Sequence, residues 1–157
     1  MTDPDVTSSA DPAKARSAAR LLAVQALYQL EIGGGTPARV LAEFNLHRLG
    51  ETIDGESMVL PDGDLFHDLV DGAWQQRADL DAVIGQHLAT GWSVERLDKL
   101  LLQLLRVAAY ELRARMDIPA RVSLSEYVDV ARAFYGTREP AFVNGVLDAI
   151  ARTLGRL

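Results

Sequence analysis

The chain has 157 residues, the length of one typical domain, and its 48% apolar and 24% charged residues indicate an ordinary globular protein rather than a disordered or fibrous one. It has no cysteine, which excludes a disulfide framework, a thiolate metal site and a cysteine nucleophile. No apolar run approaches the roughly 20 residues of a membrane span, and the N-terminus lacks the basic start of a secretory signal, so we expect a cytoplasmic protein without membrane contact.

Charge is distributed unevenly along the chain, whose formal net charge is −6. Within the first 30 residues, three acids are followed by three bases, Lys14, Arg16 and Arg20. Residues 31–81 then carry eleven acids against three bases, whereas residues 96–157 carry ten bases against seven acids. Fourteen of the sixteen bases are arginine, the side chain that best fits phosphates and stacks on bases. This asymmetry is expected either of a polyanion-binding face or of ordinary solvated faces.

Apolar residues recur at the i, i+3, i+4, i+7 spacing of amphipathic helices, and no segment alternates with the period of two that marks a strand. The sequence therefore predicts an all-α fold. The predicted helices cover about residues 14–32, 37–49, 65–88, 94–116, 123–135 and 140–154. The third segment contains Gly72 and a polar stretch, which leaves open whether it forms one helix or two.

Turn-forming residues set the limits of the first two helices. Residues 1–13 are predicted to form a disordered acidic tail, because they contain prolines and no periodic apolar pattern. The glycines at 33–35 end the first helix. Thr36 is then predicted as the N-cap of the second helix, with Pro37 at its first position. A polar loop is expected over residues 51–63.

Two prolines and one capping pattern divide the C-terminal half. Pro119 breaks the chain because its ring disfavours helix at the preceding residue. Ser123 and Glu126, at the spacing of a capping box, are predicted to open the next helix. Pro140 is predicted to start the last helix.

No group of residues has the spacing of an active site or a metal site. His47, His67 and His87 stand on different predicted helices, and none has a second ligand at helical spacing. The run Asp62–Asp64 resembles a calcium loop only faintly, because Phe66 occupies a ligand position. We therefore expect a protein that is not an enzyme and that binds neither a metal nor a cofactor.

The start of the first helix is the strongest candidate for ligand binding. Lys14, Arg16 and Arg20 lie in or next to its first turns, where unpaired N–H groups attract anions and where cations oppose the helix dipole. This unfavourable placement favours a bound polyanion, and a solvent-facing turn with chance bases is the alternative. Gln25 and Tyr28, farther along, can offer an amide and a stacking ring to single-stranded bases, or Tyr28 can lie at the edge of the core.

Three stretches carry information beyond composition. They are Arg20–Tyr28 (RLLAVQALY), Leu105–Leu112 (LRVAAYEL) and Phe142–Asp148 (FVNGVLD), with Ile118-Pro119 between the last two. In content, order and separation they resemble the NusB family of bacterial transcription antitermination factors. The resemblance extends from Lys14 to Ala151.

The resemblance implies a fold and partners. The fold is two packed three-helix bundles that form one compact RNA-binding domain over residues 14–157, without catalysis. Its partners are the boxA RNA of ribosomal RNA operons, the ribosomal protein NusE and the transcription elongation complex. The RNA-face candidates, including Lys14 from its charge, are Lys14, Arg16, Arg20, Gln25, Tyr28, Phe142 and Asn144. The helix expected to carry the NusE contacts contains Arg106, Tyr110 and Glu111.

The sequence leaves the roles of several of these residues open. Phe142 can pack into the core or stack on a base. Tyr110 and Glu111 can lie at the core edge, and Arg106 can belong to a structural ion pair. Gly145, inside a predicted helix, costs ~1 kcal/mol relative to alanine and suggests a close approach of another backbone or helix.

The arginine-rich start is thinner than the family pattern. Ser17, Ala18 and Ala19 stand where the fuller motif would add bases. Three phosphate contacts on a single strand predict a salt slope of only about −2, so the chain alone should bind RNA weakly and NusE should supply the rest.

The function expected from the resemblance is antitermination by RNA binding together with NusE. One alternative is an RNA-recruiting module that works with a separate ribosomal RNA methyltransferase, because NusB-like domains also precede such enzymes. Another is a helical protein adaptor without RNA contact. The family includes monomers and dimers, so a homodimer is also left open.

Overall fold

The computed structural model of the chain describes residues 11–48 and 60–157. The predicted acidic tail, apart from its last residues, and most of the predicted polar loop lie outside the described residues. The described residues form seven α-helices, one 3₁₀ turn and no strand, so the predicted all-α fold is confirmed. In chain order they are α1 (Pro12–Gly33), α2 (Pro37–Arg48), α3 (Gly63–Gln75), α4 (Arg77–Gly85), the 3₁₀ turn (Val94–Arg96), α5 (Lys99–Ala114), α6 (Ala120–Phe134) and α7 (Arg138–Thr153).

Helix α1 begins two residues earlier than predicted, because Asp11 caps it. The Asp11 carboxylate accepts hydrogen bonds from the backbone N–H groups of Ala13 (3.0 Å) and Lys14 (3.4 Å). The predicted glycine stop is confirmed, since Gly34 has a φ of 75° and donates its N–H to the Leu30 carbonyl at 2.9 Å. Only glycine adopts this left-handed backbone without cost. The predicted Thr36 cap is confirmed as well, by a 3.3 Å hydrogen bond from the Arg39 N–H.

The predicted helical segment at residues 65–88 forms two helices, α3 and α4, which separate at Gln76. Helix α3 is capped by Asp62, whose Oδ1 accepts a hydrogen bond from the Leu65 N–H at 3.0 Å. The acidic run with a faint likeness to a calcium loop thus contains a helix cap.

Two predicted helix starts in the C-terminal half are wrong. Helix α5 begins at Lys99 rather than Val94, because Asp98 caps it through the Leu101 N–H at 3.3 Å. Helix α6 begins at Ala120, so Ser123 lies inside it and does not cap it. The Ser123 hydroxyl instead donates to the carboxylate of Glu111 on α5. The capping box predicted from Ser123 and Glu126 does not form, because the Ser123 hydroxyl makes a tertiary hydrogen bond to Glu111 instead.

Helix α7 begins at Arg138, two residues before the predicted start at Pro140. Pro140 therefore lies in the first turn, where a missing N–H breaks no intrahelical hydrogen bond. The apolar face of α7 is buried as expected, at Val143, Val146, Leu147 and Ile150.

The chain divides into two compact helical units at Val70 and Asp71, within α3. In the first unit α1 packs on α2, and the rings of Phe44 and Phe66 lie 5.7 Å apart. In the second unit α5 contacts α4, α6 and α7, and every residue from Leu101 to Leu112 is buried. No helix within the described ranges combines the length and the apolar character needed to cross a membrane.

Candidate nucleic-acid interface

The start of α1 presents two cations at the surface, not three. Lys14 is exposed and Arg16 is partly exposed, but Arg20 is only 1% exposed. The expectation that Arg16 and Arg20 project together along one accessible face is therefore corrected for Arg20. Its long side chain lies within the fold, so it has almost no surface to offer a ligand in this conformation.

The charges of Lys14 and Arg16 are available to an anion. Within residues 11–48 and 60–157, neither side chain takes part in an ion pair. The Asp11 cap offsets part of the unfavourable interaction between these cations and the positive end of the helix dipole. The cap therefore lowers the cost of placing these two cations at the helix start.

Two further candidates lie farther along α1. The ring of Tyr28 is 38% exposed, and Gln25 is partly exposed. This exposure leaves the Tyr28 ring accessible for stacking and also fits a position at the edge of the core, so both alternatives remain. Ile32, one turn later, is 60% exposed and extends the apolar surface beside the ring.

Phe142 and Asn144 lie on α7, in the second unit. Asn144 is exposed, whereas Phe142 is half-buried and lines a cavity of about 500 Å³. Phe142 is therefore partly packed and partly accessible, and its stacking on a base stays a prediction. The backbone approach expected at Gly145 is absent among the described residues, because a Cβ built there has no neighbour within 4 Å.

Sequence reasoning missed the other walls of this cavity. They are formed by Ala89, Trp92, Arg96, Leu97, Asp98, Leu101, Tyr135, Arg138 and Glu139. Trp92 is 56% exposed, and the Arg96 guanidinium lies 5.7 Å from the centre of its indole ring. An exposed tryptophan beside an arginine offers a stacking surface with one cation, although Asp98 and Glu139 in the same lining offset the charges of Arg96 and Arg138. The available signal was Trp92 itself, a large ring in a polar segment.

Tyr135 is held in its neutral form at the edge of this cavity. Partial burial raises its pKa, and a hydrogen bond to the Asp98 carboxylate and the negative charges of Asp98 and Glu139 raise it further. The phenol therefore serves as a hydrogen-bond donor to Asp98, which also caps α5. This contact joins the end of α6 to the start of α5.

Arg106 is committed to a structural ion pair. Its Nε and Nη2 donate to the two carboxylate oxygens of Asp81 on α4, both at 2.7 Å. Nη1 donates to Gln103 Oε1 at 3.2 Å. This bidentate geometry joins α4 to α5 and favours the structural alternative for Arg106.

Tyr110 and Glu111 are also buried. Glu111 is fully buried and accepts hydrogen bonds from the hydroxyls of Ser123 and Tyr127, the latter at 2.8 Å. Tyr110 is 7% exposed and its ring lies against Gly72. In this conformation these side chains present almost no surface to a partner, which favours their structural alternative. Their part in NusE binding stays a prediction.

The histidine side chains that the structure describes have hydrogen-bond partners. His67 is 3.3 Å from the side-chain amide of Asn45. His87 lies 2.8 Å from the Val83 carbonyl and 2.9 Å from the Thr153 hydroxyl. The side chain of His47 lies outside the described residues. No three histidines or carboxylates among the described residues are placed to hold a metal ion.

The helices and their two compact units define a small all-α protein, and comparison with known proteins gives its family. The sequence pattern of the NusB family matches residues 17–152. The transcription antitermination protein NusB of Sinorhizobium fredii is 42% identical over 154 residues, which cover 98% of this chain and 96% of that protein. Its namesake from Nitrobacter hamburgensis is 49% identical over 140 residues, covering 89% of this chain and 88% of the relative.

A solved structure also resembles the chain. It is a crystal structure of the antitermination factors NusB and NusE in complex with double-stranded RNA, and it matches with a TM-score of 0.73 and 27% identity. The match covers 89% of this chain and 98% of that one. The chain belongs to the NusB family. The relatives are named for transcription antitermination, so the family has a regulatory function rather than an enzymatic one.

Proposed function

We propose that this protein is a transcription antitermination factor that binds the boxA RNA of ribosomal RNA operons together with NusE. It acts within the transcription elongation complex, in the cytoplasm, where the transcripts are made. The observation that carries the proposal is the match over 89% of the chain to a NusB solved with NusE and RNA. The shared name of its relatives supports the same function.

The direct RNA contacts are proposed on two surfaces. On α1, Lys14 and Arg16 bind phosphates, while Gln25 and Tyr28 contact bases. Phosphate contacts give affinity and register, whereas base contacts give sequence preference. Arg20 joins this surface only if its side chain leaves its buried position, so we assign the phosphate contacts to the other two cations.

On α7, Phe142 and Asn144 form the second proposed surface. The half-buried ring of Phe142 is fixed by packing on one side and can stack on an unpaired base with the other. The exposed amide of Asn144 can donate and accept hydrogen bonds at a base edge. The neighbouring Trp92 and Arg96 extend the same stacking and charged surface.

Two accessible cations predict weak binding by the chain alone. Two phosphate contacts to a single strand give a salt slope of roughly −1.4. We therefore expect NusE to supply additional RNA contacts, in line with the relative that was solved in complex with NusE and double-stranded RNA. The chain is therefore proposed to act as one half of a shared RNA surface, and a homodimer is the competing assembly, which sedimentation at increasing concentration tests.

RNA-binding titrations test this proposal. Fluorescence anisotropy of labelled boxA RNA is measured with and without NusE over a range of salt concentrations, for the native chain and for the double variant Lys14→Gln/Arg16→Gln. We expect NusE to strengthen binding and the double variant to lose at least about tenfold in affinity, with a shallower salt slope. Arg39→Gln, an exposed arginine on α2, is the matched control and should bind normally. Equal affinity of the double variant and the control would refute the assigned surface.

The methyltransferase alternative is not favoured. The S. fredii and N. hamburgensis relatives, matched over 96% and 88% of their own lengths, are both named for transcription antitermination rather than for methylation. A methyl-transfer assay with a labelled methyl donor, ribosomal RNA and the chain distinguishes the two functions. Methylation that requires this chain would support the alternative.

A further inference from the structure

A second basic site lies within the second unit and shares no residue with the two proposed RNA surfaces. A cavity of about 490 Å³ opens beside the start of α6 and the residues that follow α7. It is lined by Pro119, Ala120, Arg121, Arg152, Arg156 and Leu157. Three guanidinium groups therefore border one cavity, and no acidic side chain lines it, in a chain whose net charge is −6.

Arg156 is fixed in place by the backbone. Its Nη1 donates to the Leu112 carbonyl at 2.5 Å, and its Nη2 donates to the Ile118 carbonyl at 2.6 Å. These acceptors are neutral, so they orient the guanidinium without cancelling its charge. A partly buried cation held in this way forms a preorganised wall of the cavity.

The other two arginines are accessible. Arg121 is exposed, and no ion pair engages it within the described part of the chain. Arg152 is exposed and donates through Nε to Asp148 at 2.8 Å, which leaves the outer edge of its guanidinium for a second acceptor. Of the three arginines, only Arg152 has a carboxylate side chain as a partner among the described residues, that of Asp148.

The backbone N–H groups at the start of α6 carry a partial positive charge, the same sign as the charge of the arginine side chains. Pro119 is the N-cap of α6 and has no side-chain acceptor, but its carbonyl accepts a hydrogen bond from the Val122 N–H at 3.0 Å. The N–H groups of Ala120 and Arg121 therefore remain without an acceptor inside the helix. These groups add a partial positive charge beside Arg121. The three arginines provide most of the attraction for an anion, because they supply full positive charges and forked hydrogen-bond donors.

We propose that this three-arginine cavity binds an oxyanion of the phosphate class. Arginine forks match the geometry of phosphate oxygens, and the cavity holds a tetrahedral anion with its water. The anion can be free phosphate or a phosphate of an RNA strand, and only the second source rests on the proposed function. Neither requires the α1 surface, so the two proposals can fail separately.

Titration of the full chain with inorganic phosphate tests the site. Chemical shifts of the backbone amides and arginine Nε groups are followed during addition of sodium phosphate, with sodium chloride at matched ionic strength as the reference. We expect saturable shifts at Arg121 and Arg152 with phosphate alone. Arg121→Gln/Arg152→Gln should weaken binding at least about tenfold, as expected for the loss of charge-assisted hydrogen bonds. Arg132→Gln, an exposed arginine on α6 outside the cavity, is the control and should leave the shifts unchanged.

A second arm identifies the source of the anion. Addition of boxA RNA with NusE should reproduce the shifts if the strand reaches the cavity, and phosphate alone should produce them if the ligand is a free anion; either result supports the site. Equal effects of chloride and phosphate, or phosphate shifts that persist in the double variant, would overturn it. An absence of phosphate shifts would also overturn the proposed site, and this is the result expected if the α-carboxylate of Leu157 fills the cavity.

Discussion

The ring of Tyr110 on α5 lies so close to the backbone of Gly72 on α3 that a Cβ on Gly72 would collide with the Tyr110 Cζ atom. A glycine in a helix interior costs about 1 kcal/mol relative to alanine. The contact with Tyr110 supplies the reason for this glycine, since any side chain would collide with a rigid, buried ring. The tyrosine of the LRVAAYEL stretch is thus part of the packing of the second unit.

Replacement of Gly72 by alanine is expected to destabilise the protein. The collision forces the Tyr110 ring or α3 to shift, and overpacking of this kind costs about 1–3 kcal/mol, more than the gain in helix propensity. Urea denaturation followed by circular dichroism measures the change. A Gly72→Ala variant as stable as the native chain would contradict the contact.

Gly145 provides the opposite case. A Cβ at this position meets no atom within 4 Å, so Gly145→Ala is expected to raise the free energy of unfolding by up to about 1 kcal/mol. The same denaturation experiment measures it. Destabilisation by this substitution would show that another backbone approaches Gly145 after all.

The buried carboxylate of Glu111 joins α5 to α6. Ser123→Ala removes one of its hydrogen-bond donors and is expected to cost about 1–3 kcal/mol, because the carboxylate stays buried with one partner fewer. Ser125→Ala, at an exposed position on the same helix, is the matched control and should change stability little. Equal stability of the two variants would argue against the hydrogen bond.

Breaking the ion pair between Arg106 and Asp81 tests whether Arg106 has a structural role or a partner-binding role. Asp81→Asn leaves the Arg106 charge without its carboxylate and is expected to lower stability by about 1–3 kcal/mol, less than a fully buried pair because Asp81 is partly exposed. Its affinity for NusE, measured by calorimetry well below the unfolding temperature, should be unchanged. A large loss of NusE affinity in a folded variant would instead assign Arg106 to the partner surface.

The sequence predicted the fold better than the site. The glycine stop at Gly34 and the Thr36 cap follow from local backbone chemistry, so local patterns identify them. The predicted start of α5 was wrong although Asp98 is a local N-cap, because the apolar spacing continues back to Val94. The predicted start of α6 was wrong because Ser123 donates to a carboxylate twelve residues away. A short pattern cannot distinguish a helix cap from a tertiary donor.

The misplaced site residues have a related cause. Charged side chains are mostly exposed, so Arg20 was expected at a surface, while Arg106 and Glu111 were left open between partner contacts and structural roles. Their burial depends on partners or packing from other helices, which sequence spacing does not contain. The exposure of Trp92 was not predicted either, because tryptophan side chains are usually well buried.

A crosslinking map of the complex of this chain, NusE and boxA RNA tests the central proposal most directly. Photoactivated crosslinks from the RNA are located by mass spectrometry of the peptides. We expect them on α1, in the range from Lys14 to Tyr28, and on α7, at Phe142 and Asn144. They should weaken when NusE is left out. Crosslinks confined to other helices, in a complex that still binds the RNA, would contradict the account.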